Sequence, residues 1–93
     1  MAIKMSPDEL MGYATKLAKY AQEASTLAKN IDSSIKAAAS NWEGAAQKRY
    51  VEDFERIRPT LDKEVPELLN TMSANLKKMA QTMADTDRQL AGG

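Results

Sequence analysis

The chain contains no cysteine and no histidine. Without thiols there is no disulfide framework, and nothing about redox compartment is encoded in them. Without histidine, the commonest metal ligand and the usual acid/base of neutral pH are missing together. An excess of one charge is lacking as well: thirteen Lys and Arg balance thirteen Asp and Glu. No global field therefore draws the protein to nucleic acid or to acidic membranes. No run approaches the ~18 consecutive apolar residues of a membrane-spanning helix, which excludes stable membrane insertion of that kind. The first residues become charged at Lys4, Asp8 and Glu9 before an apolar run forms, so no cleavable signal peptide is expected. Glycines number four, prolines three, and there is one Trp. Ninety-three residues with 43% apolar and 28% charged content describe one ordinary globular domain.

The single Trp lies in Asn41-Trp42-Glu43-Gly44, near the midpoint, between two long helical patterns. The expected fold is all-α, an antiparallel hairpin with a helix over about 7–41, a turn at 42–44 and a second helix over about 46–90. Ser6 is placed to cap the first helix, Pro7 suits its first position, and Ser6 with Glu9 forms a capping box. Three heptad rows follow. Leu10, Leu17, Ala24, Ile31 and Ala38 form one, Tyr13, Tyr20 and Leu27 a second, and Ala14, Ala21, Ala28, Ile35 and Trp42 a third. Together they make a broad apolar stripe whose alanines permit close approach of another helix. Gly44 is expected to supply the left-handed backbone that ends the first helix.

The second helix carries Ile57, Leu61, Val65, Leu68, Met72, Leu76, Met79 and Met83, an eleven-residue repeat extended by Tyr50, Phe54 and Leu90. Pro59 and Pro66 each remove a hydrogen bond and should kink it. Because the stripe stays in phase through both prolines, a continuous kinked helix is favoured over two helices meeting near Arg58.

A lone hairpin buries too little to be stable, and the stripes are wider than one facing helix needs. Two hairpins packing as a four-helix bundle solve this, with an isologous homodimer the first choice. Leu10, Leu17, Ile31, Ile35, Phe54, Ile57, Leu61, Leu68 and Met72 are the expected core and dimer-packing residues.

Chemistry finds little support, and no catalytic, metal or cofactor-binding residue is assigned. Glu52, Asp53, Glu55, Glu64 and Glu67 crowd the second helix, but carboxylate metal sites in bundles usually add Glu-x-x-His pairs. These acids alternate with bases, as in Lys48-Glu52, Arg49-Asp53, Glu52-Arg56 and Lys63-Glu67, the spacing of a solvated face. The serines lack a histidine partner and no phosphate-binding glycine loop occurs. The protein is expected not to be an enzyme and not to bind nucleic acid.

The Trp-x-Gly turn between two helices resembles the WXG family of about one hundred residues, small secreted proteins similar to the early secreted antigenic targets of mycobacteria. The stretch from Ile3 to Leu10 is similar to the opening of members from low-GC Gram-positive bacteria, and Asn41-Trp42-Glu43-Gly44-Ala45 to their turn. The resemblance covers essentially the whole chain. It implies synthesis in the cytoplasm and export, without a cleaved leader, by a type VII secretion system as a folded dimer, with a secreted effector or virulence-associated role. It also implies a bipartite signal read by the secretion ATPase, comprising Trp42 and Gly44 of one subunit and a C-terminal Tyr-x-x-x-acid element of its partner. No Tyr follows Tyr50, and the nearest match is Met83-x-x-x-Asp87. Met83 and Asp87 read equally well as the end of the apolar stripe beside a solvated acid. Trp42 likewise reads both as a core anchor and as a contact residue. The alternative function is a cytosolic helical adaptor or chaperone pairing with a larger secretion substrate that carries a related helical domain.

Overall fold

The computed structural model describes residues 5–92, so Ile3 and Lys4 of the opening and Gly93 of the tail lie outside it, as does the side chain of Leu90. The chain folds as an antiparallel helical hairpin of 73 × 18 × 17 Å. Helix α1 spans Pro7–Ser40, α2 spans Ala45–Pro59, and α3 spans Val65–Gly92. A π turn, Thr60–Glu64, joins α2 to α3, so the second arm is one helical run.

Local chemistry starts α1 as expected. The Glu9 backbone N–H donates to Ser6 Oγ at 3.1 Å, Pro7 occupies the first turn, and Asp8 and Glu9 sit at the positive end of the helix dipole. At 34 residues and about 1.5 Å per residue, α1 is shorter than the second arm, which sets the molecule's long axis.

The seam between the arms is built from small residues. On α1 the buried positions are Ala14, Ala21 and Ala28, seven apart. On α3 they are Pro66, Ser73 and Ala80, also seven apart. Ala14 and Ala80 retain at most 1% of their surface. The approach is close enough for Ser73 Oγ to donate across the seam to the Ala14 carbonyl at 2.6 Å. Small side chains on both faces allow this, and the heptad spacing keeps them facing each other along a slowly supercoiled pair.

The eleven-residue stripe of the second arm does not form this seam. Leu61, Leu76 and Met83 are half-buried, whereas Ile57, Val65, Leu68, Met72 and Met79 are exposed, Leu68 and Met79 by 60% each. Large side chains cannot occupy the line of closest approach, so they stand beside it. The residues that do turn towards α1 are Gln47, Val51, Phe54, Arg58 and Leu61, then Pro66, Leu69, Ser73, Leu76, Ala80 and Met83. Their spacing alternates four and three throughout, except for one step of five from Leu61 to Pro66.

The π turn supplies that extra residue. Val65 N–H bonds to the Thr60 carbonyl, five residues back, and the face thereby shifts by one position. In an uninterrupted α-helix Val65 would follow Leu61 onto the seam; here Val65 is 37% exposed and Pro66 is buried. Pro59 and Pro66 bracket the turn, and neither has an N–H for the regular ladder. The helix therefore passes both prolines without ending, and the turn widens between them.

The seam makes a sharp stability prediction. Ala21→Leu overpacks the line of closest approach and should cost about 2 kcal/mol in chemical denaturation. Ser73→Ala, which leaves no buried group without a partner, should cost about 1 kcal/mol or less. An Ala21→Leu protein as stable as wild type would mean that the arms do not approach as described.

Candidate functional site

The turn is organised by satisfying the exposed carbonyls at the end of α1. Asn41 N–H bonds to Ala38 O and Trp42 N–H to Ala39 O, both at 3.3 Å. Ser40 Oγ donates to Ala37 O at 2.8 Å, and Gln47 Nε2 reaches back from α2 to Ala39 O at 3.2 Å. The α1 cap is thus Asn41, and Gly44 has a different place from the one expected. It precedes α2 as its N-cap, with φ 112° and ψ −177°. This is the mirror of extended backbone rather than a left-handed helical turn, a region essentially restricted to glycine. It is the only positive φ among the described residues.

Trp42 is fixed by the same turn. Its ring lies 5.8 Å from that of Tyr50, tilted by 46°, a favourable aromatic geometry. Trp42 nevertheless keeps 42% of its surface and Tyr50 44%. Together with Ala45, Ala46, Arg49 and Asp53 they line an open groove at the hairpin tip. Trp42 is therefore propped on α2 and presented outward, not enclosed.

A second feature runs along the side of the hairpin. Leu10, Tyr13, Leu17 and Tyr20 of α1 line a groove with Leu76 of α3, and Leu10 lines another with Met79 and Met83. The heptad rows continue this face through Ile31, which is half-buried, and Leu27, which is exposed. Of the expected packing residues, Leu10, Leu17, Ile31, Ile35, Phe54 and Leu61 are half-buried in the single chain. Ile57, Leu68 and Met72 are exposed. Met72 and Met79 are thus part of the hairpin's outer surface.

Met83 is half-buried and Asp87 exposed, one helical turn apart. Because Met83 shares a groove with Met5 and Leu10, this pair lies at the open end of the hairpin, far from the Trp42 turn.

Among the described residues, none of the expected pairs Lys48-Glu52, Arg49-Asp53, Glu52-Arg56 and Lys63-Glu67 forms an ion pair; the i,i+4 pairs present are Asp32–Lys36 and Arg58–Asp62. Arg56 pairs with Asp53, and Arg88 with Asp85 at 2.6 Å, both across three positions. Arg58, given no role by the sequence beyond marking where two helices could meet, is half-buried and reaches Asp32 of α1 at 2.5 Å, Glu55 at 3.1 Å and Asp62 at 3.9 Å. Lys36, bonded at 3.0 Å, and then Arg58 hold the Asp32 carboxyl below its ordinary value, against the opposing effect of partial desolvation. The signal that singles out Arg58 is its place in the four-three spacing between Phe54 and Leu61. Among the described residues no group of three or more acidic, Cys or His side chains could hold a metal ion. No helix among them is long and apolar enough to cross a membrane.

A helical hairpin whose tip is a Trp-x-Gly turn belongs to the class of small helical-hairpin proteins. The family described as proteins of 100 residues with WXG matches residues 2–88, and the chain belongs to this WXG100 family. It is 27% identical over 89 residues to Protein YukE of Bacillus subtilis, covering 96% of this chain and 91% of that one. Identity and coverage are the same for the type VII secretion system extracellular protein A of Staphylococcus aureus. The solved structure of Geobacillus thermodenitrificans EsxA, crystal form I, superposes with a TM-score of 0.84 at 26% identity, covering 99% of both chains.

Gly44→Ala isolates the backbone requirement. A Cβ there meets no atom within 4 Å, so steric exclusion plays no part. The expected loss is about 1–3 kcal/mol from backbone strain alone, read as a lower denaturation midpoint with the helix content of α1 retained. An unchanged midpoint would show that the turn relaxes freely to another conformation.

Proposed function

We propose that the protein is a substrate of a type VII secretion system, exported as a folded homodimer and active outside the cell as an effector or virulence-associated factor without enzymatic activity. The observation that carries this reading is the apolar face running over α1 and α3 of a single hairpin. Leu68, Met79, Tyr13 and Tyr20 are all about half exposed or more, and two apolar grooves that share Leu10 join α1 to α3 in this band. A band of that extent on the outside of a folded chain marks an interaction surface. A second copy, packed through the same residues as a four-helix bundle, covers it with matching chemistry. The name of the Staphylococcus aureus relatives, an extracellular protein of a type VII secretion system, supports the route and destination.

In this reading Trp42 and Gly44 form one half of the signal recognised by the secretion ATPase. Met83 and Asp87 form the other, with Met83 standing where relatives of the early secreted antigenic target carry a Tyr. The two halves lie at opposite ends of one hairpin. An antiparallel partner brings the tip of one copy beside the tail of the other, so dimerisation completes the signal. Related helical substrates of the same system are further candidate partners.

The dimer is tested by sedimentation of the purified chain at tens of micromolar. Wild type should run at twice the chain mass, and Met72→Glu/Met79→Glu at the chain mass with reduced helicity. A wild-type monomer with full helicity would remove the need for a partner. Export is tested in the native host by immunoblotting cells and medium for wild type, Trp42→Ala, Asp87→Ala and a secretion-ATPase deletion. Wild type should reach the medium, and the other three should be retained, with any lysis marker absent from the medium. Retention of the wild type in cells would overturn export and leave the cytosolic adaptor as the function.

A further inference from the structure

We propose that the π turn is a joint dividing the hairpin into a sealed stem and an openable tip, and that Arg58 is the latch holding the tip closed. The asymmetry of burial comes first. Every buried residue of α1 lies between Ala14 and Ala28, and α2 and the π turn bury none. On the second arm burial begins at Pro66, directly after the π turn, and runs to Ala80. The stem is thus closed by two interlocking rows of small residues, while the tip has only half-buried contacts. Those come from Ile31, Ile35 and Ala39 on α1 and from Val51 and Phe54 on α2. Segments with few buried apolar contacts and solvent-exposed backbone open at lower free energy than a packed core.

The boundary between the two parts is built to yield. Pro59 and Pro66 each lack a backbone donor, so the regular ladder misses two bonds around a five-residue turn. A π turn is already a local departure from the ladder, and its extra residue is a place where helical phase can change.

Arg58 stands at this boundary. The ion pair of its guanidinium with Asp32 is the one cross-arm ion pair among the described residues; the others join positions three or four apart on one helical run. The same guanidinium also holds Glu55 in α2 and Asp62 in the π turn. It therefore ties α1, the last turn of α2 and the joint itself together. Arg58 and Asp32 are each only partly exposed, by 32% and 20%, so solvent screens the pair less than a surface one. Trp42 and Tyr50 ride on the tip, and the state of the latch governs how rigidly their groove is presented.

Amide hydrogen exchange of the full chain, in whatever assembly it adopts, tests this. In wild type, amides of 45–58 should exchange at least about tenfold faster than those of 66–80, as expected for separately opening units. Arg58→Met and Asp32→Asn should each raise exchange in 32–40 and 45–58 by about fivefold or more, leave 14–28 and 66–80 unchanged, and add nothing when combined. Equal exchange of tip and stem in wild type would overturn the proposal. So would latch variants that loosen both parts alike.

Discussion

The rest of the structure depends on the closeness of the two arms. A seam made of Ala14, Ala21 and Ala28 against Pro66, Ser73 and Ala80 holds the helices near enough for a serine hydroxyl to reach the opposite backbone. That distance has a consequence for every larger residue. Tyr13, Tyr20, Leu68, Met72 and Met79 stay out of the seam and remain exposed. Close packing inside the chain and an uncovered apolar face outside it therefore have one cause. Dispersion attraction between the two small-residue rows stiffens the stem, but the bulk of the hydrophobic surface waits for a partner.

The same seam imposes its phase on the second arm. Half-buried positions on both sides of the π turn follow a four-three rhythm, and the rhythm survives only because one residue is inserted between Leu61 and Pro66. Two prolines bracket the insertion, so a backbone defect and a packing requirement coincide there. Arg58 adds an electrostatic tie at the same place, joining three segments through three carboxylates. The tip beyond is held by fewer buried contacts and carries the aromatic groove of Trp42 and Tyr50.

Much of this was legible in the residues. The Ser6–Pro7–Glu9 start, the length of α1 and the midpoint turn rest on local chemistry, and local chemistry is what a sequence displays directly. The alanine row of α1 was legible as well, since its seven-residue spacing is regular. The opposing row was not. Pro66, Ser73 and Ala80 look like a breaker, a polar residue and a filler, and the neighbouring Val65, Met72 and Met79 look like core. Apolarity alone does not distinguish a stripe that faces its own chain from one that faces a second chain. Arg58 was hidden for a related reason, because its decisive partner, Asp32, lies 26 residues away on the other arm. Gly44 was correctly marked as special, but whether it ends one helix or begins the next depends on how the carbonyls of Ala38 and Ala39 are satisfied.

By itself the sequence determined the all-α class, the hairpin with its turn at Trp42–Gly44, and the lack of histidine and cysteine chemistry, because these follow from composition, caps and short-range spacing. The tertiary structure alone decided which face of each helix closes the hairpin, where the extra helical residue falls, and which large side chains remain outside. Those depend on the distance between two arms whose residues meet only after folding, and no local pattern encodes that distance.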